Sequence, residues 1–422
     1  MLGFASIIWP RAALVVFMFA ASTLPTANRF EDMVAQYGVY FFEYYYVGLG
    51  LYVIIHLKNA MNIENFIFYV SAVLYCLFVY TISIAFYDGG IDKYILRDLR
   101  YIFAIAFPIL LLAQVDSVKP VSLGLLTMIS LAAGAANVGM VFLIFVGVLK
   151  FDNSYYEVAN NYRYFGLGTY LNAIFFISAI VNYRIFKRNT NWIVFYSAIC
   201  LSFAGVMISG YRMMVVAVVG ALVVSSVRSV PKAVASFVLG IIAIIVFIQL
   251  AYYFEVSRIT DALESEALLE QLGTRFYPAE VYLNDISLFH ALFGYGFGTT
   301  FYIPWFIYQG LDYLHNQIDT TYITAFVKFG AMSIFYIICL LMMISQNHKG
   351  QGRVALIVFV AIYMITIPLL GHASFSVAIA YSAWLGLTLA RCEQQQHVPK
   401  RRSISPAPTR VVVNRRVDGR GI

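Results

Sequence analysis

Charged side chains are scarce in this sequence. Of its 422 residues, only 12% are Asp, Glu, Lys or Arg, whereas 61% are hydrophobic. An ordinary soluble domain carries about 25% charged residues, so the composition excludes a soluble globular protein. Repeated apolar runs of about 20 residues are each long enough to cross a hydrocarbon core of roughly 30 Å. The sequence therefore predicts an all-α fold, a polytopic membrane helical bundle.

Cysteine is also rare, and the four cysteines show neither a disulfide framework nor the spacing of a zinc site. The sequence has no DxD pair and no HExxH motif. Nothing in it requires a metal, and we predict no cofactor. The net charge of +7 comes mostly from the C-terminal tail, so we interpret it as a sign of membrane orientation and predict no nucleic-acid partner.

About twelve transmembrane spans are predicted within a membrane domain of residues 1–392. They lie near residues 5–24, 37–57, 66–86, 99–115, 120–149, 168–186, 191–209, 212–228, 233–253, 319–345, 354–371 and 373–390. The run 120–149 is long for one crossing, and it could tilt or kink near Gly134 and Gly139. Residues 393–422 are polar with scattered arginines, and we predict a disordered, basic, cytoplasmic tail.

The distribution of basic residues predicts that both termini are cytoplasmic. With this orientation the inner loops hold nine basic residues and the tail eight, against nine in the outer loops. Such a bias places the richer side in the cytoplasm. The predicted location is a cytoplasmic membrane that the chain crosses several times.

This topology leaves one large outer loop, about 254–318, before the tenth span. Its first part, EVSRITDALESEALLEQLG (255–273), is amphipathic, and its second part restarts at Thr274 and breaks at Gly294. We expect two short amphipathic helices that lie on the outer bilayer surface. The alternative is a structural lid without chemistry.

A polar cluster follows at the mouth of the tenth span, after three glycines at alternate positions (294, 296 and 298). The cluster consists of Asp312, His315, Asn316, Gln317 and Asp319. A membrane enzyme would keep its chemistry at such a place. The alternative is a plain loop in which the Asp319 carboxylate caps the following helix.

Three segments each place a distinctive group next to a predicted helix: an arginine at its start, an arginine and a glycine turn around it, or polar residues just before it. They are SGYRMMVVAVVGAL (209–222), RFYPAEVYLNDISLFHALFGYGFG (275–298) and HNQIDTTYITAFVKFG (315–330). Together they resemble the bacterial O-antigen ligase and O-antigen polymerase superfamily over about residues 200–345, and the remainder fits that family by topology only. Two positions depart from the pattern. A gapless match puts Asp319 at the family's histidine position, and Arg275 is followed by Phe and Tyr instead of tryptophan.

The resemblance implies transfer of a glycan from a polyprenyl-diphosphate carrier to an acceptor hydroxyl on the outer face of the membrane. The product would be O-antigen, exopolysaccharide or capsule. Arg212 and Arg275 would hold the diphosphate, because a guanidinium binds phosphate oxygens bidentately. His315 would take the acceptor's proton, and Asp319 would orient it or serve as the base itself. Asn316 is a further substrate-binding candidate.

Arginines at the membrane surface also have structural interpretations. Arg212 could snorkel to lipid headgroups, and Arg275 could pair with Glu280. Arg163, in the tyrosine-rich loop DNSYYEVANNYRYFG, is a weaker candidate for binding phosphate or sugar.

Glu43 falls inside the predicted second span and Lys328 inside the predicted tenth span. A lone charge at that depth is costly, so each is expected to meet a partner or water. They could pair with each other, or Lys328 could reach a substrate phosphate.

The implied partners are the lipid-linked glycan, an acceptor glycan or glycolipid, membrane lipids and other polysaccharide-assembly proteins. Alternative functions are a transporter or flippase of a lipid-linked glycan and a non-catalytic assembly partner. A transporter would show internal repeats, broken helices and several midplane charges. The sequence leaves polymerase and ligase open, with the placement of Asp319 favouring a polymerase.

Overall fold

The computed structural model describes most of the chain's apolar runs. It covers residues 2–24, 44–56, 63–86, 93–148, 166–209, 212–226, 276–284, 286–303, 313–366 and 375–397, together with positions 238, 242, 249 and 369. These residues are mostly helical, as the apolar runs predict.

Helices account for the described part of the N-terminal half. They are α1 (Leu2–Ile8), α2 (Pro10–Thr23), α3 (Tyr44–His56), α4 (Ile63–Phe86), α5 (Lys93–Ser117), α6 (Leu123–Phe145), α7 (Leu167–Val181), α8 (Tyr183–Asn189), α9 (Trp192–Ile208) and α10 (Arg212–Ser226).

The C-terminal half adds helices and one short ribbon. Its helices are α11 (276–284), α12 (Leu288–Phe293), α13 (Thr321–Phe329), a 3-10 turn (Gly330–Met332), α14 (Ser333–Ile344), α15 (Gly350–Tyr363) and α16 (Phe375–His397). The strands β1 (Phe301–Tyr302) and β2 (Leu314–His315) pair antiparallel, with Phe301 opposite His315. The all-α prediction is therefore correct for the architecture but missed this ribbon.

Among the described residues, four helical segments are long and apolar enough to cross a membrane. They are Phe66–Ala85, Leu123–Leu143, Thr321–Ile344 and Phe375–Gln395. Helices α7 and α8, which meet at 96°, make a fifth if they are counted as one broken span. Five more apolar helices are shorter, with 10–17 residues each. A helical membrane protein is therefore supported, and the larger number of about twelve spans stays a prediction.

Within the long run 120–149, residues 123–145 form one continuous helix, α6, which has no break at Gly134 or Gly139. Gly134 instead permits close helix packing. A Cβ at this position would lie 2.8 Å from the carbonyl carbon of Leu201 in α9. The glycine therefore lets two backbones approach, which is a common use of small residues between membrane helices.

The predicted span 319–345 is divided at Gly330. This residue has φ +62°, a left-handed conformation that glycine adopts without a Cβ penalty. A Cβ here would lie 2.4 Å from the main chain of Leu292 in α12. The break therefore lets α12 pack against the junction of α13 and α14.

The predicted outer loop is described only in its second half. There the structure shows two short helices, α11 and α12, where the sequence suggested one. Five buried residues tie this region together, and they come from α11, the ribbon, the approach to α13 and α13 itself: Ala279, Phe301, Ile303, Ile318 and Val327. This small core supports the ribbon beneath the polar cluster.

Helix α16 lies at the centre of the main core. In its spanning segment 78% of the residues are buried, and it packs against α5, α7 and α14. It continues to His397, so residues 393–397, which were predicted to belong to the disordered tail, are helical. The rest of the tail lies outside the described residues.

Candidate functional site

A fully buried carboxylate, Asp98 on α5, joins three separate segments of the chain. Its Oδ2 accepts a hydrogen bond from the Gly298 N–H at 2.8 Å, and its Oδ1 accepts one from Asn316 Nδ2 at 2.9 Å. Lys328 Nζ in α13 lies 2.5 Å from Oδ2. We call these four residues the charge centre. It links α5, the glycine turn (residues 294–299), the segment before α13 and α13 itself.

Lys328 is as completely enclosed as Asp98. Neither side chain has any exposed surface. The ammonium also donates to the Thr299 carbonyl at 3.0 Å and lies 5.2 Å from the centre of the Tyr101 ring. A buried ion pair is tolerated when its remaining hydrogen-bonding groups are also satisfied. The N–H donors of Gly298 and Asn316 satisfy the carboxylate, and the Thr299 carbonyl satisfies the ammonium.

The glycine turn lies directly against the last turn of α13. Tyr295 N donates to the Val327 carbonyl at 2.7 Å, and Gly296 N donates to the Lys328 carbonyl at 3.1 Å. All three of its glycines have φ between +77° and +88°. A Cβ at Gly294 would lie 2.3 Å from the Lys328 main chain. The alternate glycines therefore serve a close backbone approach.

A chain of tyrosines extends the charge centre into the bundle. Tyr101 donates its hydroxyl hydrogen to the Asn316 carbonyl at 2.9 Å, and Tyr336 donates to the Tyr101 carbonyl at 3.1 Å. Both tyrosines are buried. Asn316 is thus held by its side chain and by its main chain, which fixes the residue that follows His315.

His315 lies at the end of β2 and is half-buried. Its Nδ1 is 3.1 Å from the Gln317 carbonyl oxygen. Because a carbonyl can only accept, this contact assigns the ring proton to Nδ1. Nε2 is then the nitrogen that can take up a proton, as a general base must.

Asp319 is exposed, and it does not cap the helix. Helix α13 begins at Thr321 with Thr320 as its N-cap, and no side-chain cap bond is made there. His315 precedes the helix as part of a strand. The two residues therefore do not share a helical face.

Of the three arginines selected from the sequence, only the main chain of Arg212 lies within the described residues. Arg212 is the first residue of α10, as the sequence motif suggested, and its side chain is outside the described set. Arg163 and Arg275 also lie outside the described residues. Lys328 does have the partner that its depth required. That partner is Asp98, whereas Glu43 lies outside the described residues.

The sequence matches a known protein family over most of its length. Residues 111–387 match a family described as "Family of unknown function (DUF6369)". The chain belongs to the DUF6369 family. No curated protein and no solved structure matches it. The DUF6369 match includes His315, Asn316 and Lys328, whereas Asp98 lies before its first residue. Because the family has no assigned function, membership names no reaction.

Sequence reasoning did not select Asp98. It lies in KYILRDLR (93–100) among three basic residues, so it resembles an ordinary solvated charge. In the structure α5 already begins at Lys93, and the helix turns Asp98 inward. The available signal was that a buried Lys328 needs an acidic partner.

A second polar cluster lies at the other end of α5, beyond the predicted span 99–115. Asp116 accepts hydrogen bonds from Gln346 Nε2 at 3.0 Å and Asn347 Nδ2 at 3.2 Å. In the same turn His348 Nε2 donates to the Ser382 carbonyl at 2.8 Å. Burial raises the pKa of the Asp116 carboxyl to about 6, although both amides oppose the rise. Burial lowers the pKa of the His348 imidazole to about 4. This cluster fastens the α14–α15 turn to α5 and α16.

Within the described ranges, no three His, Cys, Asp or Glu side chains come close enough together to hold a metal ion.

Proposed function

We propose that this DUF6369 protein transfers a glycan from a polyprenyl-diphosphate carrier to an acceptor hydroxyl on the outer face of the bacterial inner membrane. The proposal places it in the assembly of a surface polysaccharide, as a polymerase or a ligase. One observation carries it furthest. A half-buried histidine, with Nε2 as its proton-accepting nitrogen, lies at the mouth of a spanning helix, and the next residue, Asn316, is anchored to Asp98.

In this proposal His315 Nε2 removes the proton from the acceptor hydroxyl. The oxygen attacks the anomeric carbon of the donor glycan and forms the new glycosidic bond. The bond between that carbon and the phosphate oxygen breaks, and the diphosphate keeps its electron pair. Arg212 and Arg275, with Arg163 as a weaker candidate, stabilise the growing negative charge.

The structure refines the expected roles of Asn316 and Lys328. Both side chains are buried and bonded to Asp98, so in this arrangement they support the site from beneath. Asp319 is exposed and follows His315 by four residues, and in this proposal it orients His315 or serves as the base itself. The favoured acceptor is a second lipid-linked glycan, which makes the enzyme a polymerase.

A second candidate function is a flippase of the same lipid-linked glycan. Two observations favour it: the 96° break between α7 and α8, and the buried Asp98–Lys328 pair. Broken helices and buried charges are common in transporters.

The surface glycan of a deletion strain distinguishes these functions. Loss of a polymerase leaves single repeats on the outer acceptor, and loss of a ligase leaves full-length chains on the carrier lipid. Loss of a flippase leaves single repeats on the carrier at the cytoplasmic face. A normal glycan profile at every stage would contradict all three functions.

Two variants then test the site in the complemented strain. Arg212→Lys should keep the protein's abundance but remove most transfer, because an ammonium does not replace the planar guanidinium. Arg188→Lys, in a predicted cytoplasmic loop, is the matched control and should restore the full glycan. If both variants restore it equally, Arg212 only interacts with lipid headgroups.

The orientation is tested separately. Reporter fusions at Lys187 and Lys349 should report the cytoplasm, and a fusion at Glu266 should report the outer compartment. A cytoplasmic signal at Glu266 would contradict the proposal, because the site would then face away from the outer acceptor.

A further inference from the structure

We infer that Asp98 is a positioning residue for His315, an inference that rests on the proposed function. Asp98 has no exposed surface and therefore acts through other residues. Its Oδ1 holds the Nδ2 of Asn316 at 2.9 Å, and Asn316 directly follows His315 in the chain.

The same carboxylate also fixes the opposite strand of the ribbon. Its Oδ2 accepts from the main-chain nitrogen of Gly298, three residues before Phe301. Phe301 is fully buried and lies opposite His315 in the ribbon. Asp98 thus fastens the ribbon at the start of β1 and at the end of β2. The position of His315 is set from both sides by one side chain.

Lys328 makes this arrangement possible. It neutralises a carboxylate that would otherwise be buried with its charge uncompensated. Its second hydrogen bond, to the Thr299 carbonyl, holds the residue next to Gly298. The ammonium that sequence reasoning assigned to a substrate phosphate is therefore a support for Asp98.

The chain supplies a matched control in Asp116. It lies on the same helix, accepts two side-chain amide hydrogen bonds and is partly buried, whereas Asp98 is fully buried. At 1.5 Å per residue it lies about 27 Å away, at the other end of α5. Asp98→Asn and Asp116→Asn therefore make the same chemical change at the two ends of one helix.

Hydrogen–deuterium exchange of the purified full-length protein gives the first readout. In Asp98→Asn the peptides covering residues 294–303 and 313–318 should exchange faster than in the wild type. In Asp116→Asn these peptides should be unchanged, and the peptide covering residues 345–349 should exchange faster. Equal exchange at 294–303 and 313–318 in both variants overturns the inference, whatever the protein's activity.

Transfer kinetics with a lipid-linked glycan donor give the second readout, normalised to folded protein. Misplacing a reacting group by about 1 Å costs about 10²-fold in rate, so kcat in Asp98→Asn should fall by about that factor. KM for the donor should stay within about threefold of the wild-type value, because Asp98 contacts no donor atom. An unchanged kcat together with faster exchange overturns the positioning role.

If Asp98→Asn does not fold, Asn316→Ser replaces it in both measurements. This variant removes the amide donor and leaves the ion pair in place. It should loosen residues 313–318 and lower kcat, and wild-type behaviour in both respects overturns the inference. A wild-type protein that transfers no glycan contradicts the proposed function. The exchange data then still decide whether Asp98 holds the ribbon.

Discussion

Removing either member of the buried Asp98–Lys328 ion pair should destabilise the protein, but by different amounts. Lys328→Met leaves the Asp98 carboxylate with two N–H donors, from Gly298 and Asn316. Asp98→Asn leaves the Lys328 ammonium buried without a counter-charge, with the asparagine oxygen, the Thr299 carbonyl and the nearby face of Tyr101 as its neutral partners. Removing one partner of a buried pair typically costs about 3–5 kcal/mol. Because the carboxylate keeps two N–H donors, we expect Lys328→Met to lose about 3 kcal/mol of folding stability. Because the ammonium keeps no charged partner, we expect Asp98→Asn to lose about 5 kcal/mol.

The double variant completes the cycle. It buries no charge, and its asparagine oxygen still accepts a hydrogen bond from Gly298. Its loss of stability should therefore be at least about 3 kcal/mol smaller than the sum of the two single losses, because contacting residues are not additive. The assay is urea-induced unfolding in detergent micelles, followed by tryptophan fluorescence.

Two results would refute this reasoning. Additive losses would mean that the side chains do not interact in the folded protein. A larger loss for Lys328→Met than for Asp98→Asn would mean that the two N–H donors do not stabilise the Asp98 carboxylate.

The remaining predictions concern pH and one glycine. The raised pKa of Asp116 means that the folded protein loses stability as this carboxyl ionises, between about pH 4 and about pH 6. The lowered pKa of His348 means that the folded protein gains stability between about pH 4 and 6.5, where the unfolded chain loses its imidazole proton. At 1.36 kcal/mol per pKa unit each contribution is roughly 3 kcal/mol. Because the two contributions are similar in size and opposite in sign, the wild-type Tm should change little over this range. His348→Gln should make Tm fall as pH rises, and Asp116→Asn should make it rise; slopes of the same sign in both variants would contradict the two assignments. Gly330→Ala should lose at least about 2 kcal/mol, because it adds a main-chain clash to the strain of a positive φ. Gly350→Ala, at φ +53° in open space, should lose clearly less, and equal losses would show that the clash does not matter.

The sequence predicted the helical elements where apolar runs are long. Within the run 120–149, residues 123–145 form α6, and residues 375–390 of the run 373–390 lie inside α16. The limits of helices were harder to predict, because α5 begins with charged residues that resemble a loop. The break at Gly330 depends on the approach of α12. That contact between distant parts of the chain is not visible in local periodicity.

Sequence reasoning selected the polar stretch 315–319 but did not predict the contacts of these residues. The cost of burying Lys328 correctly required a partner. The identity of Asp98 as that partner could not be read from the sequence, because 230 residues separate the two. The strand conformation of His315 was also missed, since two-residue strands carry no periodic signal.

The most direct test of the central claim is glycan transfer by purified protein, with a lipid-linked glycan as donor and product length as the readout. The wild type should transfer, and His315→Ala should lower the rate by about 10²–10⁴-fold, the usual value of general-base assistance. Asp319→Asn should cost less, and the reverse order would make Asp319 the base. If neither substitution lowers the rate by about tenfold, or the wild type forms no product with any acceptor, the proposed catalytic function is contradicted.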